Sequence, residues 1–323
     1  MLAFSHDEIE SAQHVVYATM APTPQYAWPL LRERLGTEVW VKHENHTPLG
    51  AFKLRGGLVY LQALAQREPD YRGVISATRG NHGQSIAFSA RRHGLATTIV
   101  VPHRNSVEKN AAMRALGAEL IEHGSDFQQA REHAARIASE RGLHFVPSFH
   151  RDLVRGVASY WIEFFGVVQP AVVFVPVGQG SGICACVAAR AYTGAATRIV
   201  GVASAHATAY LDSFRAGRCI EAPVRTELAD GMACRVPDEE ALDMIRREVD
   251  DMVAVTDDEV AAAMRAMFSD THNAAEGAGA ASLAAALQQR DRWRGQTIGV
   301  TLCGGNVDRM LFARVLAGDE GRR

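Results

Sequence analysis

The feature that most constrains this chain is a recurring alternation of short apolar runs with longer amphipathic stretches. Val39–Val41, Gly73–Ser76, Thr97–Val101, Glu119–Glu122, Ala171–Val175, Ile199–Ala203 and Thr297–Leu302 read as strands. Between them, Gly83–His93, Val107–Leu116, Phe127–Glu140 and Asp257–Phe268 carry helical periodicity. Strands that alternate with helices in this way predict an α/β fold of open, mostly parallel sheets with helices on both faces. Thr256 before Asp257 is a helix start with acids at its positive end. The alanine-rich stretch Asn273–Gln288 reads as a close-packed helix.

Bulk properties narrow the partners. The chain has 323 residues and a formal net charge of −2, so no overall field favours nucleic acid or an anionic membrane. Any anion it binds must be held locally. The five cysteines, Cys184, Cys186, Cys219, Cys234 and Cys303, have neither a zinc-site rhythm nor that of a disulfide framework. The acidic N-terminus lacks the apolar core of a signal peptide, and no apolar run is long enough to span a bilayer. The expectation is a cytoplasmic protein with no membrane and no nucleic-acid partner.

Chemistry concentrates at strand-to-helix turns. The apolar run ending at Val177 is followed by Gly178-Gln179-Gly180-Ser181-Gly182 and then by a helical pattern. Such a turn offers free backbone N–H groups to an anion, and glycine lets the ligand approach the backbone. A ligand-free tight turn is the alternative. A dinucleotide site would need a third glycine where Ile183 stands, and an acid after Ile199–Ala203 where Ser204 and Ala205 stand. A phosphomonoester fits better.

The segment His43–Gly57 is the second dense region. Pro48 and Gly50 mark a turn, and Leu54–Leu64 reads as a helix, which places Lys53 near a helix N-terminus beside Phe52. The helix dipole and partial burial both disfavour an ammonium there, and a lysine that deprotonates easily can form a Schiff base with an aldehyde. Taken alone, the segment reads better as an exposed surface lysine. Ser76–Ser85 and Thr301–Asn306 are further strand-to-turn segments. In the first, N–H groups around Asn81 and His82 and the Thr78 hydroxyl suit a carboxylate. Several such turns on one chain predict one crevice at the strand C-terminal ends.

In this order, the segments resemble the fold type II pyridoxal phosphate (PLP) enzymes, specifically the threonine/serine dehydratase and serine racemase family. The likeness runs from about Thr23 to Val315. Ala51-Phe52-Lys53-Leu54-Arg55-Gly56 resembles the family's Schiff-base segment, which implies that Lys53 is the cofactor lysine. Gly80-Asn81-His82 matches its Gly-Asn-His segment, implying that Asn81 meets the cofactor's ring hydroxyl and that Thr78, Arg79, Gly80, Asn81 and His82 bind substrate. Gly178, Gln179, Gly180, Ser181 and Gly182 match its phosphate loop. Cys303-Gly304-Gly305-Asn306 matches its last glycine turn and puts Cys303 beside the ring nitrogen, with Gly304 adjoining. Ala229-Asp230-Gly231 and Glu276-Gly277-Ala278 match segments that line the site. The resemblance implies a tryptophan synthase β-like fold, with a small domain at 49–149 and a large one at 1–48 plus 150–323. It also implies PLP as cofactor, a homodimer, and a lyase that converts a small β-hydroxy-L-amino acid, threonine or serine, to a 2-oxo acid and ammonia.

Two departures bear on the activity. Racemases of the family have a serine where this chain has Arg79, and an arginine stays protonated, so it is a poor base. It could instead grip a second carboxylate, as in 3-hydroxyaspartate, or point to solvent or pair with a neighbouring acid. The family's divalent-metal acids are replaced by Ala203 and Ala209, so no such metal is expected. The chain's end at Arg323 leads us to expect no appended regulatory domain. A PLP-binding protein without turnover is the competing class.

Overall fold

A computed structural model of the chain describes residues 2–68 and 70–318. Its strands are β1 (Gln25–Ala27), β2 (Val39–His43), β3 (Gly73–Ala77), β4 (Ala96–Val101), β5 (Glu119–Glu122), β6 (His144–Phe145), β7 (Val172–Pro176), β8 (Arg198–Ser204), β9 (Asp251–Val255) and β10 (Ile298–Leu302). They form two sheets. One has six strands in the order β1-β2-β10-β7-β8-β9, the other four in the order β5-β4-β3-β6. All pairings are parallel except β1 with β2. The α/β expectation holds, and each expected strand is found within a residue or two of its expected bounds.

The apolar runs are continuous because both faces of the larger sheet are covered. Val172 and Phe174 of β7 pack on one side with Val200, Val202 and the helix Gly277–Gln288. Val173 and Val175 point the other way, onto Trp161, Phe164 and the helix Ser181–Thr193. The alanine-rich segment is that first covering helix, buried along nearly its whole length. Thr256 caps the helix Asp257–Thr271 in a box with Glu259, as its sequence suggests.

Three strands carried no readable signal. β1 is a three-residue edge strand with exposed side chains, and β6 has only two residues. β9 closes the other edge of the large sheet, and its half-buried Asp251 and Ala254 interrupt the apolar run.

Beneath the helix Lys53–Arg67 lies a buried ion cluster. Arg55 is fully buried and contacts Glu44 at 2.8 Å and Glu163, which also holds Lys42 at 2.6 Å. Thr23 Oγ1 donates to Glu44. Gly156 lets the helix Arg151–Val167 approach closely, since a Cβ there would meet the Arg55 carbonyl. The start of the Lys53 helix is thereby fixed against β2 and the helix Arg151–Val167.

Candidate active site

The turns after β3, β7 and β10 open into one cleft. It is lined by Phe52, Lys53, Thr78, Arg79, Gly80, Asn81, His82, Gly178, Gln179, Gly180, Ser181, Gly182, Glu276 and Cys303. Gly304 lies just behind, tight enough that a Cβ on it would collide with Glu276 Oε1. The sequence segments separated by up to 250 residues therefore meet. Short backbone bonds join them: Phe52 N–H donates to Cys303 O at 3.0 Å, and Glu276 N–H to Gly304 O at 3.1 Å.

The chain has three lysines, Lys42, Lys53 and Lys109. Lys42 is paired with Glu163, and Lys109 with Asp230 and Glu276, each at 2.8 Å. Lys53 alone forms no ion pair among the described residues. Its Nζ donates to Ser181 Oγ at 2.8 Å and sits 4.8 Å from the Phe52 ring centroid. Burial pulls its pKa down to about 8, against the opposing charges of Cys303 and Glu276. It is the first residue of its helix, as expected from Pro48 and Gly50, and Ser85 Oγ donates to its carbonyl at 2.6 Å.

The loop 178–182 is built for close approach. Gly180 has φ +95°, and a Cβ on Gly178 would strike the Gly231 carbonyl. Ser181 begins the helix Ser181–Thr193, whose first-turn N–H groups have no intrahelical acceptor. Lys53 and these N–H groups face the same space, as one group carrying both an aldehyde and a phosphate requires.

At the other wall, Thr78 Oγ1 accepts from Gly80 N at 2.9 Å and from Gly83 N at 3.4 Å, leaving its own proton free to donate. Asn81 and His82 begin the helix Asn81–Arg92. Burial, reinforced by the Lys53 charge, holds the His82 imidazole down at about 3, so it is neutral. Its Nε2 and the Arg79 Nε are buried without a hydrogen-bond partner. Arg79 lines the cleft, is half-buried and forms no ion pair among the described residues. Such orphaned polar atoms, a donor at Arg79 Nε and an acceptor at His82 Nε2, are what a ligand would satisfy. Cys303 donates its thiol to the Ala278 carbonyl at 3.5 Å, and burial, with Glu276 adding, pushes its pKa far up. The thiol is neutral. Cys184 and Cys186 are buried in the core, as expected.

Sequence reading missed Lys109, which reaches the cleft from the helix Val107–Ala115, together with Phe127, Ser148, Met232 and Cys234. None sits in a glycine-rich turn, so no local pattern marked them. Among the described residues no cluster of three or more potential metal ligands occurs, and no helix is long and apolar enough to cross a membrane.

The glycine cradle, the unpaired lysine and the orphaned polar atoms fit PLP, and comparison with known proteins agrees. Residues 16–304 match the family of pyridoxal-phosphate-dependent enzymes. The L-threonine ammonia-lyase of Thermotoga maritima is 31% identical over 312 residues, covering 96% of this chain and 77% of that protein. The L-threo-3-hydroxyaspartate ammonia-lyase of Saccharomyces cerevisiae is 28% identical over 322 residues, covering 99% and 98%. The processed threonine deaminase isoform 2 of Solanum lycopersicum superposes with a TM-score of 0.87 at 26% identity, over 99% of this chain and 95% of that one. This chain belongs to the pyridoxal-phosphate-dependent enzymes, in the fold type II family of threonine/serine dehydratases and serine racemases.

Proposed function

We propose that the protein is a lyase that dehydrates a small β-hydroxy-L-amino acid, threonine or serine foremost, to a 2-oxo acid and ammonia. The observation that carries this reading is the unpaired Lys53 facing the glycine loop across one cleft. When bound, PLP supplies the electron sink that makes a bond at the substrate Cα labile. The loop N–H groups at 178–182 and the Ser181 hydroxyl would hold its phosphate, and Lys53 would anchor its aldehyde carbon. Asn81 would meet the ring hydroxyl, with Phe52, Glu276 and Gly304 lining that part of the site. The free N–H groups of Asn81 and His82 and the Thr78 hydroxyl take the substrate α-carboxylate. Lys53 Nζ, whose neutral form is accessible near neutral pH, accepts the Cα proton. Cys303, a neutral thiol that would stand beside the ring nitrogen, could not hold a proton on it as a carboxylate would, which favours elimination over racemisation. Residues 49–149 serve as the small domain and 1–48 with 150–323 as the large one. The protein works in the cytoplasm, as a homodimer.

Arg79 supports a second reading in which the substrate is acidic, such as 3-hydroxyaspartate. Its buried, unpartnered Nε at the substrate turn suits a second carboxylate. The test is 2-oxo acid release by the PLP-loaded protein from L-threonine, L-serine and threo-3-hydroxyaspartate, with Lys53→Ala and Arg79→Ala alongside. Release that vanishes in Lys53→Ala is the expected result, and silence on every substrate would refute the lyase reading. A charged hydrogen bond of about 1.5–3 kcal/mol corresponds to a loss of roughly 10–150-fold on the acidic substrate in Arg79→Ala, with threonine little changed. Equal effects on all three substrates would remove the acidic reading.

A further inference from the structure

Lys109 is buried, with its Nζ 2.8 Å from Asp230 and 2.8 Å from Glu276. It comes from the helix that follows β4 of the four-stranded sheet, whereas both acids lie in segments flanking the six-stranded sheet. Its aliphatic stem lies against Gly80, so closely that a Cβ there would collide with Lys109 Cδ. Beyond it the contacts run in one line. Glu276 Oε1 accepts from Asn81 Nδ2 at 2.6 Å, and Asn81 Oδ1 accepts from Asn306 Nδ2 at 2.9 Å. Asn306 is itself held by donating to the Leu49 carbonyl at 2.8 Å.

A primary amide has one acceptor oxygen and two N–H donors. With Oδ1 facing Asn306 and one N–H given to Glu276, the rotation of the Asn81 amide is fixed and one N–H remains to give. The acceptor that fixes it is a buried carboxylate, and a buried carboxylate needs a cation. Lys109 is the cation that reaches it. Burial and the nearby Asp230 both push Glu276 toward its protonated form, and Lys109 acts against them. Without Lys109, Glu276 would take up a proton, and the charge-assisted bond that holds the Asn81 amide would become a weaker neutral one.

We propose that Lys109 is a positioning residue, which keeps Glu276 an ionised and therefore strong hydrogen-bond acceptor and so aims the remaining Asn81 N–H at the cofactor ring. This rests on the reading that Asn81 meets the ring hydroxyl. The effect reaches the cofactor's electronic state, because a hydrogen bond to its ring oxygen alters its visible absorption.

The test uses PLP-loaded protein and the variants Lys109→Met, Glu276→Gln, their double variant and Asn81→Ala. The absorption maximum of the bound cofactor is expected to shift in the same direction in Lys109→Met and Glu276→Gln. Turnover is expected to fall roughly tenfold or more in each, with KM changed far less. The double variant should be no worse than the worse single, because both act through one carboxylate. Unshifted absorption in Lys109→Met, or additive effects in the double variant, would overturn the proposal even if stability falls. Should Lys109→Met fail to fold, an unshifted Glu276→Gln overturns it equally. Asn81→Ala separates the two levels. A shift there beside an unshifted Lys109→Met refutes only the role of Lys109, whereas an unshifted Asn81→Ala refutes the contact with the ring hydroxyl itself.

Discussion

Lys53 differs from the other two lysines in what surrounds its Nζ: a serine hydroxyl and an aromatic face, and no ion-paired acid. An ammonium so placed loses water without gaining a carboxylate, which is why its pKa falls to about 8. Only the neutral amine attacks an aldehyde. Capture of PLP by the cofactor-free protein should therefore speed up as pH rises from 6 to 9, with a midpoint near 8. Stopped-flow absorbance would follow it, and a midpoint near the ordinary ~10.4 of an exposed lysine would contradict the burial argument. Lys53 was legible because its neighbours Phe52, Leu54, Arg55 and Gly56 form a compact motif. Lys109 was not, since its partners Asp230 and Glu276 lie 121 and 167 residues away along the chain. Pairing over that distance leaves no local pattern.

At the scale of elements, the strand-to-helix turns were readable because they join a β-branched run to glycines whose backbone must come close to a ligand. Gly178 and Gly180 are such positions. The short edge strands were not readable, because an exposed three-residue strand such as Gln25–Ala27 needs no apolar alternation. Arg55 lay inside the recognised motif, yet its work is structural: it anchors the Lys53 helix to Glu44 and Glu163. Replacing Arg55 with methionine leaves two buried carboxylates competing for Lys42, and should destabilise the protein by about 3–5 kcal/mol. Denaturant titration measures it. A loss under about 1 kcal/mol would mean that the cluster relaxes or protonates without strain.

In the whole molecule, the C-terminal ends of the parallel strands of two sheets face one cleft, and polar contacts cross it. Lys53 reaches Ser181, and Asn81 reaches Glu276. The general placement follows from open α/β topology and could be foreseen. Which side chains close the gap depends on how the sheets sit together, which no single segment encodes. A ligand that touches both walls binds only the folded form, so PLP at about 100 times its Kd should stabilise the protein by about 2.7 kcal/mol. Thermal unfolding at rising PLP would show it, and a midpoint indifferent to PLP would place the cofactor elsewhere. Ala203 and Ala209 are buried and carry no oxygen that could ligate a metal. Exhaustive chelation should accordingly leave turnover unchanged, and its loss would expose a metal requirement.

The central claim is that Lys53 carries the cofactor. Borohydride reduction of the PLP-loaded protein, followed by digestion and mass mapping, tests it directly, because the chain offers three lysines. The account predicts one phosphopyridoxyl group per chain, on Lys53, with Lys42 and Lys109 unmodified. A label on Lys109, or a protein left unlabelled after loading, would contradict it.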